Sequence, residues 1–133
     1  MAKKNYPFFE IEIGKNFSKG ISTNVDWEPR TNIIETKNSL LVEVELPGVN
    51  KEDVFVYLQS SRELIIKGVK KQPKTDKDQV TYYLFEREFG NFYKHIVIDI
   101  FLDTSNIKSV MDNGVLTVRI AKKNSKTISV DIK

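Results

Sequence analysis

Cysteine is absent from this chain of 133 residues. That removes disulfides, zinc thiolates and thiol nucleophiles. A reducing compartment is compatible with the absence, and a cytoplasmic location is expected. Histidine occurs once, as His95, so a triad or a zinc site would have to be built around that one residue. The glycines are few, and Gly14 and Gly20 stand isolated. No Gly-rich phosphate loop results, and ATP binding has no support. Long apolar runs are missing too, and none approaches the ~20 residues a membrane span needs. Near the start, Glu10 and Glu12 interrupt the apolar residues, so no secretory apolar core is expected. Charge of one sign is not in large excess. The net charge is +3, with Lys and Arg alternating with Asp and Glu along the chain. That pattern describes a solvated surface rather than a nucleic-acid patch.

The composition is that of one globular domain with a core and some tail: 40% hydrophobic and 29% charged residues. Three zones follow one another: an N-terminal arm at residues 1–24, a domain at 25–121 and a tail at 122–133. In the middle zone the hydrophobic period is two. Leu40, Val42, Val44 and Leu46 alternate with Leu41, Glu43 and Glu45. Val54, Val56 and Leu58 share one side of the next run. "ELIIKG" is short, β-branched and closed by Gly68. Phe92, Lys94, Ile96 and Ile98 alternate with Tyr93, His95, Val97 and Asp99, and Leu116, Val118 and Ile120 with Val115, Thr117 and Arg119. Pro47-Gly48 and Asn113-Gly114 are turn dipeptides. "NKEDV" offers one helical turn with Asn50 as its cap. Several short strands with close turn signals predict an all-β, immunoglobulin-like antiparallel sandwich.

One connection breaks that rhythm. "VKKQPKTDKDQ", residues 69–79, has no apolar face and leads into "VTYYLFERE", residues 80–88, which has the look of a strand. A long polar lead into a strand is unusual in a compact domain. It is either a loose hairpin loop or an arm that carries its strand away from its own sheet, building a dimer by exchange.

Chemistry finds little to work with. His95 sits within a strand pattern, with no nucleophile motif or carboxylate cluster beside it in sequence, and a structural role is expected. Glu86, Arg87 and Glu88 alternate in charge, and ion pairing is expected of them rather than acid–base catalysis. The aromatic residues are scattered through the apolar alternation, so core packing accounts for most of them. No enzyme, cofactor or metal is expected. What stays unexplained is apolar sequence at both ends: Phe8, Phe9, Ile11, Ile13 and Phe17 in front, and Ile128, Val130 and Ile132 at the back. Exposed apolar surface usually marks an interaction site, which points to a binding or assembly protein.

"WEPRTNIIET", "LLVEVELPGVNKEDVFV", "ELIIKG", "FEREFGNFYK" and "NGVLTV" occur in this order. Together they resemble the α-crystallin domain of small heat shock proteins, over roughly residues 25–121 and with the tail motif added. The resemblance implies an ATP-independent holdase, built as dimers that assemble further, which captures partly unfolded clients. It resembles most the bacterial, archaeal and plant type that dimerises by strand exchange. Residues 69–89 would then be the exchange loop and strand, with Val80, Tyr82, Leu84, Glu86 and Arg87 pairing with the partner's first edge strand near residues 32–36. Lys94 stands at the family's basic position, where an arginine is usual. A lysine cannot make a bidentate fork with a carboxylate. Further departures are Ile98-Asp99 in place of Leu-Pro, Ser109 in place of alanine and Asn32 in place of aspartate. Losing the proline is expected to loosen the turn there, though Asp99 can also start one.

The resemblance also implies roles for the two ends. The tail would dock in an apolar edge groove of a neighbouring subunit, floored by Val54, Val56, Leu58, Ile107 and Met111, with Ser109 giving room. Ile128 with Val130, or Val130 with Ile132, would supply the pegs, and the first register is preferred. The competing reading makes residues 128–132 a last strand of the chain's own sandwich. Phe8, Phe9, Ile11, Ile13 and Phe17 are the candidates for client capture, unless that stretch packs as a strand or helix on its own domain. The expected partners are unfolded clients and copies of the same chain, with no nucleic acid and no membrane span. The alternative function is a monomeric or dimeric co-chaperone or adaptor of the same fold. A basic β-sheet nucleic-acid binder is the third reading.

Overall fold

Two antiparallel sheets face each other in this computed structural model, which describes residues 3–6, 9–13, 25–73, 79–123 and 129–133. The strands are β1 (Lys3–Tyr6), β2 (Phe9–Ile13), β3 (Thr31–Glu35), β4 (Ser39–Glu45), β5 (Val54–Ser60), β6 (Glu63–Lys70), β7 (Gly90–Ile98), β8 (Leu102–Asp112) and β9 (Val115–Lys122). One sheet has the order β1-β2-β7-β6-β5 and the other β3-β4-β9-β8. The expected sandwich is present, and no long helix occurs among the described residues.

Period two is the reason these segments pack as they do. Leu40, Val42 and Val44 of β4, Leu64 and Ile66 of β6, Ile96 and Ile98 of β7, and Val118 and Ile120 of β9 all point into one sealed core. Trp27 and Phe92 meet edge to face at one end of it, with ring centroids 5.4 Å apart. Each such side chain contributes about 1.5–3 kcal/mol by leaving water.

The turns follow the local chemistry. Asn113 and Gly114 adopt positive φ, at 50° and 74°, as a tight connection between two strands requires. Residues Lys51–Asp53 form a single 3-10 turn after Pro47-Gly48. Asn50 does stand at its start. Its side chain makes no capping bond, and its carbonyl instead accepts the Asp53 N–H at 2.9 Å.

Three differences from the sequence reading have physical causes. First, residues 80–88 form no strand here, because no ladder within the chain receives them. Second, both faces of β7 are buried, Tyr93 and His95 included, where simple alternation predicts one open face. Glu63 accounts for part of this, its carboxylate lying 3.1 Å from His95 Nε2. Third, the bend at Asp99 is held without proline. Arg62 donates from Nε to the Ile98 carbonyl at 2.9 Å and from a terminal nitrogen to the Asp99 carboxylate at 2.7 Å.

The N-terminal zone also supplies structure. β2 pairs along β7 from Phe9↔Ile98 to Ile13↔Lys94, and β1 folds back on β2. The stretch "FEIEI" has the period of a strand, and β7 offers it an edge.

Candidate functional site

β5 is the outer strand of one sheet and β8 the outer strand of the other, and the two approach each other along one flank of the sandwich. Val54, Val56 and Leu58 are half-buried on the inner side of β5, in register with Gly68, Ile66 and Leu64. Ile107 and Met111 are half-buried on the inner side of β8, in register with Ile120 and Leu116. All five pack against the core from its rim. Ser109 shares their face of β8, opposite Val118, and is exposed. The six residues expected to build a groove therefore lie on two facing edges, with the smallest side chain in the middle of one.

The start of β8 is shaped by a local polar clasp. Asp103 accepts the Ser105 hydroxyl at 2.6 Å and the Ser105 N–H at 3.0 Å. These bonds favour the ionised carboxylate and hold it below the usual aspartate range. The register of β8 against β9 shifts in this stretch, between Leu102 and Ile107.

On the opposite flank, β3 pairs with β4 only among the described residues. Glu86 and Glu88 of the segment 79–89 share a cleft with Thr31 and Asn32 at the start of β3. The two ends of that segment are fixed by the adjacent strands, because Lys70 and Gly90 are direct register partners. Antiparallel neighbours of this kind need only a two-residue connection, so residues 71–89 are an excursion. The return is anchored tightly. Gly90 has φ 106°, and a Cβ there would meet the Asp26 carboxylate. That carboxylate accepts the Asn91 N–H at 2.7 Å, and the Trp27 indole N–H reaches the Gly90 carbonyl at 2.9 Å.

Within the excursion Val80, Tyr82, Leu84 and Phe85 are exposed, and Tyr83 is 97% exposed. Tyr82 and Phe85 touch edge to face at 4.9 Å, and the Arg87 guanidinium lies 4.9 Å from the Phe89 ring centre. An open cleft of about 1050 Å³ separates the body from Glu86 and Glu88, with Asn32, Glu43, Lys70 and Lys94 also on its walls. Lys94 is only 5% exposed, so it belongs to this cleft wall rather than to an open surface.

At the tail, residues 129–133 form no strand, and Val130 and Ile132 are 81% and 98% exposed. Ile128 lies outside the described residues, as do Phe8 and Phe17. Phe9, Ile11 and Ile13 fall on β2, opposite Ile98, Ile96 and Lys94. The β2–β7 pairing itself went unnoticed in the sequence, although the alternation of Phe9, Ile11 and Ile13 with Glu10 and Glu12 carries the signal.

His95 is 6% exposed and paired with Glu63, in keeping with a structural role. Among the described residues no group of three or more His, Asp or Glu is arranged to hold a metal ion. Among them no helix is long and apolar enough to cross a membrane.

Comparison with known proteins agrees with this geometry. Residues 32–133 match the model of the Hsp20/alpha crystallin family. The small heat shock protein C2 of Rickettsia felis is 33% identical over 118 residues, 88% of this chain and 75% of the relative. A 17.5 kDa class I heat shock protein of Glycine max is 32% identical over 118 residues, 89% of this chain and 72% of that one. Among solved structures, a small heat-shock protein from Xylella fastidiosa with a distinct high order structure superposes with a TM-score of 0.66. It is 27% identical, and the match covers 82% of this chain and 99% of that one. The chain belongs to the Hsp20/alpha crystallin family, the small heat shock chaperones, which are not enzymes.

Proposed function

We propose that this protein is an ATP-independent holdase, which binds partly unfolded proteins and keeps them from aggregating while working as an oligomer built from dimers. The observation that carries the reading is the coexistence of open receptors and exposed ligands in one chain. Among the described residues Val54, Val56, Leu58, Ile107 and Met111 are only half-buried on the rim and Ser109 is exposed, while Val130 and Ile132 stand in solvent. Among the described residues β3 likewise pairs on one edge only, and Val80, Tyr82 and Leu84 are exposed, with Glu86 and Glu88 of the same segment sharing a cleft with Thr31 and Asn32. Apolar side chains at alternate positions suit edge recognition, in which pockets take the pegs and backbone pairing adds to them.

In this reading the exchange strand Val80–Arg87 pairs with β3 of a partner, with Glu86 and Arg87 at its end and Lys94 near the join. The tail pegs, Ile128 with Val130 and then Ile132, dock in a neighbouring subunit's groove. One docked tail gains ~1.5–3 kcal/mol per buried aliphatic side chain, less the entropy of ordering the linker. Single contacts are therefore weak, and a closed assembly multiplies them through effective concentration. Phe8, Phe9, Ile11, Ile13 and Phe17 serve client capture. The cytoplasm is the location that a chaperone without cysteine suits.

The test is heat-induced aggregation of a client protein followed by light scattering, with no ATP present. Suppression at equimolar chain is expected, and its absence removes the holdase reading. Light scattering of the chain itself should give a mass far above 15.4 kDa. The double substitution Ile128→Ala with Val130→Ala should reduce that mass to a dimer, and an unchanged mass refutes tail docking.

A further inference from the structure

From the contacts within residues 72–89 we infer that the exchange segment is held folded on its own chain by an aromatic strap. The strap is an autoinhibitory contact of Tyr82, Phe85 and Phe89, and it must open before the segment can pair with a partner. The inference rests on the strand-exchange part of the proposed function and adds what restrains it. The species that takes a partner's β3 edge is a second copy of this chain with its strap undone.

Strand geometry and these contacts exclude each other. Along a strand each residue advances about 3.3 Å, and successive side chains point to opposite faces. Tyr82 and Phe85 are three residues apart, so a strand would set their Cα atoms roughly 10 Å apart with the rings on opposite faces. Here the two rings meet edge to face, with centroids 4.9 Å apart. Phe85 and Phe89 would stand about 13 Å apart along a strand, and their ring centroids lie 6.5 Å apart. The chain bends at Tyr83. A strand over residues 80–87 therefore cannot form while Tyr82 touches Phe85.

The strap is tied at both ends. Gln72 donates from Nε2 to the Tyr82 hydroxyl at 3.2 Å, which joins the outgoing limb of the excursion to the returning one. At the other end, the Arg87 guanidinium lies 4.9 Å and the Lys70 ammonium 5.7 Å from the centre of the Phe89 ring. Lys70 is 9% exposed, and a cation beside a ring gains more where water is excluded. That end is the firm one. The loose end is the Tyr82–Phe85 pair, whose residues are 51% and 57% exposed. Tyr82 and Leu84 line a cavity of about 240 Å³ with Gln72 and Phe89. The same two side chains are the expected pegs for β3 of a partner, so they serve the closed arm or the exchanged strand and never both. An aromatic pair biases such a choice by only about two- to tenfold. That is weak enough for a partner's edge to overcome, and strong enough to move the concentration at which chains pair.

The test follows the mass of the full chain by sedimentation through a dilution series. In a strand Phe85 would fall on the face opposite Tyr82 and Leu84, and Gln72 lies outside the exchange strand. The variant Phe85→Ala with Gln72→Ala therefore opens the strap and keeps the pegs. It should reach half monomer at a concentration at least about threefold lower than the wild type, with each single variant in between. Leu84→Asp removes a peg and reports on exchange itself; it should dissociate at a higher concentration than the wild type. An unchanged or raised midpoint in the strap variant, with Leu84→Asp dissociating as expected, overturns the strap and leaves exchange standing. A Leu84→Asp chain that assembles as the wild type does removes exchange, and the strap with it.

Discussion

β4 is paired along both edges and sealed on its inner face, whereas residues 80–88 carry Val80, Tyr82, Leu84 and Phe85 in the open. Each stretch is rich in β-branched, aliphatic or aromatic residues, although 80–88 runs Tyr82-Tyr83-Leu84-Phe85 without a polar break. The difference is the availability of an edge. β4 runs between β3 and β9, and its apolar face closes on Leu64 and Ile66 across the sandwich. The 80–88 segment leaves from Lys70 and returns at Gly90, so its place in its own sheet is already bypassed by the direct β6–β7 pairing. Strand-forming residues therefore do not make a strand by themselves, and an edge within reach is also needed.

This contrast can be attacked from both sides. The largest effect is expected inside the sandwich. Phe92→Ala empties space beside Trp27 and should cost about 3–5 kcal/mol, measured by urea unfolding. A loss below about 1 kcal/mol would mean that the core is not sealed there. Next, Tyr82→Ala combined with Leu84→Ala should leave unfolding of the isolated chain within about 0.5 kcal/mol of wild type, yet lower the assembled mass in light scattering. An unchanged mass would show that exposure in this segment has no assembly role. Tyr83→Ala sharpens the point by testing the other face of the segment, since Tyr83 is more exposed than either. Mass should persist, and a loss equal to that of the double variant would deny the alternation. The smallest effect is expected of Arg62→Ala. It removes a largely exposed ion pair with Asp99 and a bond to the Ile98 carbonyl, and should cost roughly 1 kcal/mol.

Much of the fold could be read from residues whose environment is local. Leu40, Val42 and Val44 announce a face, and Asn113-Gly114 announces a turn, because side-chain direction and backbone φ are set within a few residues. The six groove residues were expected from the family resemblance, and Val54, Val56 and Leu58 lie on one outer strand with Ile107, Ser109 and Met111 on the other. What could not be read depends on distant partners. The burial of Tyr93 and His95 needs the neighbouring strands, Glu63 among them. The hold on Asp99 needs Arg62, far away in sequence. For the stretch with Phe9, Ile11 and Ile13 client capture was expected from the resemblance, with a strand or helix packed on its own domain as the alternative, and the pairing of β2 with β7 favours the strand.

Trp27 is the only tryptophan, and it stands where the excursion rejoins the body. Its indole N–H holds the Gly90 carbonyl, its ring rests on Phe92, and the Lys70 ammonium lies 5.5 Å from its centre. The two residues that open and close the excursion, Lys70 and Gly90, thus both touch one fluorophore. Any swing of that hinge changes the polarity around a single emitter, and the colour of its light shifts toward the red as water arrives. With a tryptophan-free client, the strand exchange proposed above would be read from Trp27 in real time without attaching a dye, because the residue sits at both ends of the excursion.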